Sequence, residues 1–190
     1  MKRDLVMIKP LTSSFLSCEK DTEAILRKLF IESRPYSNIL KRLLVVQAKD
    51  CLNETKYHDV VDKYSVIKLL EEGYVFLTPV LENKEHEKKR AYIHLYFDDF
   101  APDYTNPEFR DCSVRIEIFC HTDTWSLENF CLRPLKIAGY IDGILNNAKL
   151  SGIGTLQFKS CYQNNINEEF SGYTLVYEAT HGSDDQILND

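Results

Sequence analysis

Two adjacent carboxylates, Asp98 and Asp99, stand in the run IHLYFDDF from Ile93 to Phe100, directly behind the aromatics Tyr96 and Phe97. Paired aspartates at a strand end can hold two divalent cations and clamp the attacking and leaving oxygens of a phosphoryl transfer. That chemistry needs another acid from an upstream strand end, and the upstream candidates Asp50 and Asp59 fall in polar, loop-like or helical sequence. Asp99 also opens a long connection holding Pro102, Asn106 and Pro107, where the catalytic arrangement calls for a tight turn. The expectation is therefore that the two aspartates stop a strand and solvate its end, as charged turn residues do well. A metal-dependent phosphoryl-transfer enzyme built on Asp98 and Asp99 stays as an alternative.

The aromatic-x-Asp-Asp pattern resembles the metal-binding signature of reverse transcriptases, but no other part of that constellation is present. Asp98, Glu117 and Lys159 are the residue types of a nuclease site, yet its acid and lysine belong two positions apart and position 119 is Phe. His121, Asp123 and Ser126 share one loop, where close sequence neighbours rarely converge on one reacting atom. Gly152-Ile153-Gly154 precedes a strand, whereas a dinucleotide-binding loop must follow one. Six cysteines, at 18, 51, 112, 120, 131 and 161, form no CxxC pair and have no histidine at zinc-ligand spacing. These readings predict no enzyme, no cofactor and no metal.

Composition narrows the class further. Lys and Arg total 23 against 29 Asp and Glu, a formal charge of −6, whereas a protein that grips phosphates by counterion release carries a basic excess. The one dense basic cluster, Lys88-Lys89-Arg90, follows Glu85 and Glu87 and reads as a neutralised boundary. The apolar run Leu5 to Ile8 is too short for a signal core or a membrane span, so the chain is expected to be soluble, not exported and away from membranes. Its 190 residues suit one domain: a mainly helical part over 1–50, an antiparallel sheet with one helix over 91–180, and a polar tail over 181–190.

The elements follow from hydrophobic period. Asp21 is placed to cap a helix whose stripe is Ile25, Leu26, Leu29, Phe30 and Ser33, limited by Pro35. A second helix, Asn38 to Val46, is expected to bury Ile39, Leu43 and Val46. Lys56 to Glu82 mixes helical spacing (Val60, Val61, Tyr64, Ile67, Leu70) with a strand-like Gly73 to Pro79. From Ala91 the period becomes two: Ala91, Ile93, Leu95 and Phe97 face one way, Tyr92, His94, Tyr96 and Asp98 the other. Val114, Ile116, Ile118 and Cys120 repeat the pattern, so the two segments predict an antiparallel hairpin with a long connection from Phe100 to Ser113. An exposed loop, HTDTWSLENFCLR, leads into a helix from Pro134 to Asn147 that buries Ile137, Ile141, Ile144, Leu145 and Ala148. Strands Thr155–Cys161 and Tyr173–Ala179 complete an α+β fold without internal repeats.

The block from Val114 to Phe158 resembles tailed-bacteriophage neck proteins, the head–tail connector, tail-completion and tail-terminator-like ring subunits, including those of crAss-like phages. Strand Val114–Cys120, Trp125, Arg133-Pro134, Ile141-Asp142 and Leu150-Ser-Gly-Ile-Gly154 carry the likeness. The resemblance implies a structural virion protein made in the host cytoplasm. It would form a homo-oligomeric ring at the head–tail junction, joined to portal or tail proteins and letting DNA pass without sequence-specific contact. A ring needs a heterologous interface. Its candidate residues are Tyr92, His94 and Tyr96 on the polar-aromatic strand face, Tyr104 and Phe109 in the connection, and Trp125, Phe130 and Arg133 at the loop; Trp125 can equally roof its own core. A small binding or regulatory module is the other alternative.

Overall fold

The computed structural model describes residues 14–79, 89–102 and 110–181. It is an α+β fold in which helices cover one face of a five-stranded, mostly antiparallel sheet. The first helix, α1, spans Ser14–Arg27 and runs into a π-helical turn, Lys28–Glu32, that stops before Pro35. Ile25, Leu26, Leu29 and Phe30 are buried as their spacing predicts. Asp21, expected as the cap, instead sits inside α1 and is fully buried. It lies against Gly152, where an added Cβ would stand 2.3 Å from Asp21 Oδ1.

Helix α2, Tyr36–Val45, buries Leu40, Leu43 and Leu44, so its inward face is turned from the expected Ile39–Leu43–Val46 line. Leucines on adjacent positions give two possible stripes, and packing against the later helix Arg133–Leu145 selects one. The ambiguous stretch resolves into both readings: helices α3 (His58–Lys63) and α4 (Val66–Glu71), then a short strand β1, Val75–Phe76. Ser65 caps α4 through its hydroxyl, which accepts from Lys68 N–H at 3.2 Å.

Strands β2 (Ala91–Pro102) and β3 (Arg110–His121) pair antiparallel with Ala91 opposite Cys120 and Asp98 opposite Ser113. Both outrun the expected hairpin. β2 does not stop at Asp98–Asp99: it passes through a register irregularity between Asp98 and Ala101, with Asp99 at φ 55°, and continues to Pro102. The connection is correspondingly shorter than read from sequence, and Tyr104 and Phe109 lie outside the described residues. A local polar pair ends an apolar alternation, but cross-strand hydrogen bonds can carry a strand beyond it.

Helix α5, Arg133–Leu145, begins with Pro134 in its first turn and buries Ile137, Ala138, Ile141, Ile144 and Leu145. Asn146 and Asn147 end it, Asn147 in the left-handed region at φ 61°. A small hairpin, β4 (Lys149–Leu150) and β5 (Gly154–Thr155), turns through Gly152 at φ 92°. It leads to β6 (Gln157–Asn165) and β7 (Phe170–His181). The sheet order is β1-β2-β3-β7-β6, with only β1 to β2 parallel. Alternate residues of β2, β3 and β7 thus meet α1, α2 and α5 in one core, including Ile93, Leu95, Ile116, Ile118 and Leu175.

Candidate interaction surface

The far face of the sheet divides into an aromatic and a polar half. Tyr92, Phe119 and Phe170 form a second buried cluster with Phe76 packed on it, and His94 stacks beside them with ring centroids 5.4 Å from Phe76 and 5.5 Å from Phe119. Tyr92 and His94, read from sequence as interface residues, are therefore inside the subunit, with 0% and 2% of their surface exposed. Alternation assigns them to the face away from the helices, but aromatic rings delivered by β1, β3 and β7 bury that half too.

Tyr96 belongs to the polar half. Its hydroxyl donates to Glu117 Oε1 at 3.0 Å. Burial pushes the Glu117 carboxyl above its ordinary range, while the bond from Tyr96 and the charge of Arg115 pull it back. Arg115 collects the carboxylates of the opening motif: its Nη2 donates to Asp99 Oδ2 at 2.7 Å, and its Nε lies 2.9 Å from Asp98 Oδ2. Its Nη1 reaches across β7 to the Tyr162 hydroxyl at 3.0 Å. Asp98 also accepts the Asp99 N–H at 2.8 Å, which fixes the bulge. The pair is thus a guanidinium clamp across β2, β3 and β6. Among the described residues no three histidine, cysteine or acidic side chains are grouped for a metal ion. Lys159, the third member of the nuclease-like set, pairs with Glu178.

The loop after β3 is ordered by hydrogen bonds. Thr122–Thr124 makes a single 3₁₀ turn capped by His121, whose Nδ1 accepts from Asp123 N–H at 3.1 Å. Asp123 pairs with Lys89 at 2.5 Å, so His121, Asp123 and Ser126 serve the turn. Ser126 and Leu132 form a β-bridge, and Leu127 N–H donates to Cys131 O at 2.9 Å. Between them Glu128–Cys131 close a tight turn whose central residues, Asn129 and Phe130, have φ 58° and 59°. Two left-handed residues in a two-residue turn favour Asn-Gly. Here the second is phenylalanine, and its side chain is 103% exposed.

Trp125 and Arg133 anchor this turn. The Trp125 Nε1 donates to Cys120 O at 3.1 Å, and the half-buried indole packs on the main core. Arg133 is completely buried and meets four backbone carbonyls: Thr124 from Nε at 2.8 Å, Leu43 and Val46 from Nη1 at 2.6 and 2.8 Å, and Ala48 from Nη2 at 2.9 Å. Leu43 lies in the last turn of α2 and Val46 and Ala48 follow it, at the end where helical carbonyls lack intrahelical partners and the dipole is negative. Arg133 is thus a brace joining α2, the loop and α5. Sequence reading placed it at the interface because it ends an apparently exposed loop and arginine is a favoured interface anchor. Burial pushes the nearby Cys120 thiol up to about 12 against the pull of Arg133, and raises Cys51 as well.

Of the candidate residues, then, Phe130 is fully exposed, Trp125 and Tyr96 are half-buried, and Tyr92, His94 and Arg133 are inside. Sequence reading missed Leu132 and Leu135, 39% and 47% exposed beside Phe130, and a groove along α1 floored by Leu26, Ile67 and Leu77. Ile67, whose spacing suits a helix, lies on α4 with 67% of its surface exposed. No described helix is long and apolar enough to cross a membrane.

Among solved structures, a chain of the virion of a native gene transfer agent particle is 14% identical, with a TM-score of 0.42, over 80% of this chain and 100% of that one. A crystal structure from Akkermansia muciniphila is 12% identical, with a TM-score of 0.29, over 90% of this chain and 97% of the other. No curated protein matches. The YomW family model matches residues 37–179, from α2 through β7, and the chain belongs to the YomW family.

Proposed function

We propose that this protein is a structural subunit of a phage-like virion that forms a ring at the head–tail junction, working through surfaces and without catalysis, cofactor or resident metal. The observation that carries the reading is the Phe130 turn. A large aromatic side chain held at positive φ and wholly in water is unfavourable twice over, by backbone strain and by apolar exposure. Such strain on a rigidly braced tip is what a docking residue looks like before its partner arrives. The likeness of Val114–Phe158 to neck proteins supplies the context, with partners of the same chain and of portal or tail proteins. DNA would pass along the axis without specific contact, in keeping with the net charge of −6.

The test is assembly on portal-containing heads. Purified chain is mixed with tail-less heads, pelleted and imaged. Co-sedimentation with ring density on the head axis is the expected result. A chain that stays in the supernatant, with no added axial density, overturns the reading.

A further inference from the structure

We infer that the outer edge of β6 pairs with the same edge of a second copy, antiparallel and about a two-fold axis at Gln163, so that the sheets of two subunits continue into one. The contact goes beyond the ring reading, because a two-fold contact joins subunits in pairs and does not itself close a ring. β6 ends the sheet order, and no strand among the described residues lies on its outer side. Which backbone groups face that side follows from the turn into β7. Ile166 N–H donates to Phe170 O at 3.0 Å, and the register runs unbroken from Ser160 opposite Val176 to Asn165 opposite Ser171. Residues of an antiparallel ladder are bonded to the neighbouring strand alternately. Ser160, Tyr162 and Asn164 therefore bond to β7, while Cys161, Gln163 and Asn165, all exposed, turn their N–H and C=O groups outward.

Proteins blunt an exposed edge with charge, proline or a bulge. On β6 that protection covers only the beginning. The register shifts between Phe158 and Ser160, Asn146 Oδ1 accepts the Phe158 N–H at 3.2 Å, and Lys159 is the one charged residue of the strand. From Ser160 to Asn165 the edge has neither charge nor proline.

An extended chain is what such an edge accepts, and a second β6 fits it by symmetry. The outward residues lie evenly about Gln163. Antiparallel pairing sets Gln163 opposite Gln163 of the copy and Cys161 opposite Asn165, which gives every outward donor of these residues an acceptor on the other strand. Tyr162 and Ile166, 44% and 39% exposed, then lie against Asn164 and Ser160 of the copy and lose water. No like charges meet along the paired stretch. Beyond it, the same register brings the end holding Lys159 to the turn holding Glu168 and Glu169, so cation meets anion at both ends of the contact. The opposite edge of the sheet, β1, is two residues long and offers no comparable match.

The experiment uses the full-length chain under reducing conditions, so that the exposed Cys161 forms no disulfide, with the variants Gln163→Lys and Gln163→Glu. Each changes an exposed side chain whose backbone is not bonded to β7, and thermal melting should match wild type. Sedimentation equilibrium of wild type should show a concentration-dependent species of twice the 22.1 kDa subunit mass. Each variant alone should dimerise about 5-fold more weakly or worse, since like charges then stand directly opposite across the axis. The equimolar mixture should recover the wild-type dimer. Wild type that stays at the subunit mass to its solubility limit overturns the pairing and leaves the edge to a strand of another protein. Variants that dimerise like wild type, or a mixture no tighter than either variant alone, overturn it as well. None of these results bears on co-sedimentation with heads, which tests the ring separately.

Discussion

The Nη1 of Arg133 donates to the carbonyl oxygen of Leu43 at 2.6 Å, tying the first turn of α5 to the last turn of α2 across 90 residues of sequence. A lysine in the same place has one nitrogen for carbonyls that now receive three. Arg133→Lys should therefore destabilise the fold by roughly 2–4 kcal/mol, from buried carbonyls left without donors. Denaturant titration measures it, and a loss under about 0.5 kcal/mol would show that the brace is dispensable.

Phe130→Gly should separate stability from assembly. Glycine relieves the positive φ, so melting should rise by an amount equivalent to about 0.5–1 kcal/mol. Ring formation should fail, the usual cost of relieving a functional strain. A variant that melts lower than wild type would show that Phe130 has a partner inside its own subunit.

Trp125→Ala is expected to behave oppositely. Removing an indole that packs on the core and donates to Cys120 O should lower stability by about 3 kcal/mol, with assembly lost only as the subunit unfolds. Calorimetry beside electron microscopy of particles distinguishes the two residues, and an unchanged melting temperature would remove Trp125 from the core.

Asp98→Asn combined with Asp99→Asn should cost about 1 kcal/mol or less, because both carboxylates are largely exposed partners of Arg115. Isothermal calorimetry with magnesium or manganese should show no heat that disappears in the double variant. Tight binding abolished by the substitutions would restore the phosphoryl-transfer alternative.

Glu117→Gln tests the polar half of the sheet through pH. The folded-state pKa of Glu117 is raised by burial, so the protonated carboxyl is the form that folding favours. Its contribution is fully present below the unfolded carboxylate value of about 4.3 and is lost as pH rises through the folded value. Glutamine keeps an acceptor for the Tyr96 hydroxyl without the charge. The stability of Glu117→Gln relative to wild type should thus increase from pH 4 to pH 8, as followed by urea melts in that range. A difference that is flat or falls with pH would mean that Arg115 outweighs burial.

The strands β2 and β3, helix α5 with its proline start and asparagine stop, and the α+β class were legible in the sequence because each depends on local rules. Side chains alternate along a strand, a helix repeats its apolar stripe, and Pro and Asn have fixed backbone preferences. The order β2-β3-β7-β6, the inward face of α2 and the extension of β2 past Asp99 were not legible, since pairing between distant segments decides them. The site residues divide in the same way. Tyr92 and His94 carry the alternation of an outer face, yet rings from Phe119, Phe170 and Phe76 bury Tyr92 and rings from Phe76 and Phe119 flank His94. Arg133 looks like a surface cation until α2 delivers the carbonyl end that neutralises it, whereas Phe130, read from its exposed loop as an interface residue, is held in water by a two-residue turn that no local pattern announces. Burial belongs to no residue by itself: it is set by which other segments arrive to cover it, and only the tertiary fold brings them there.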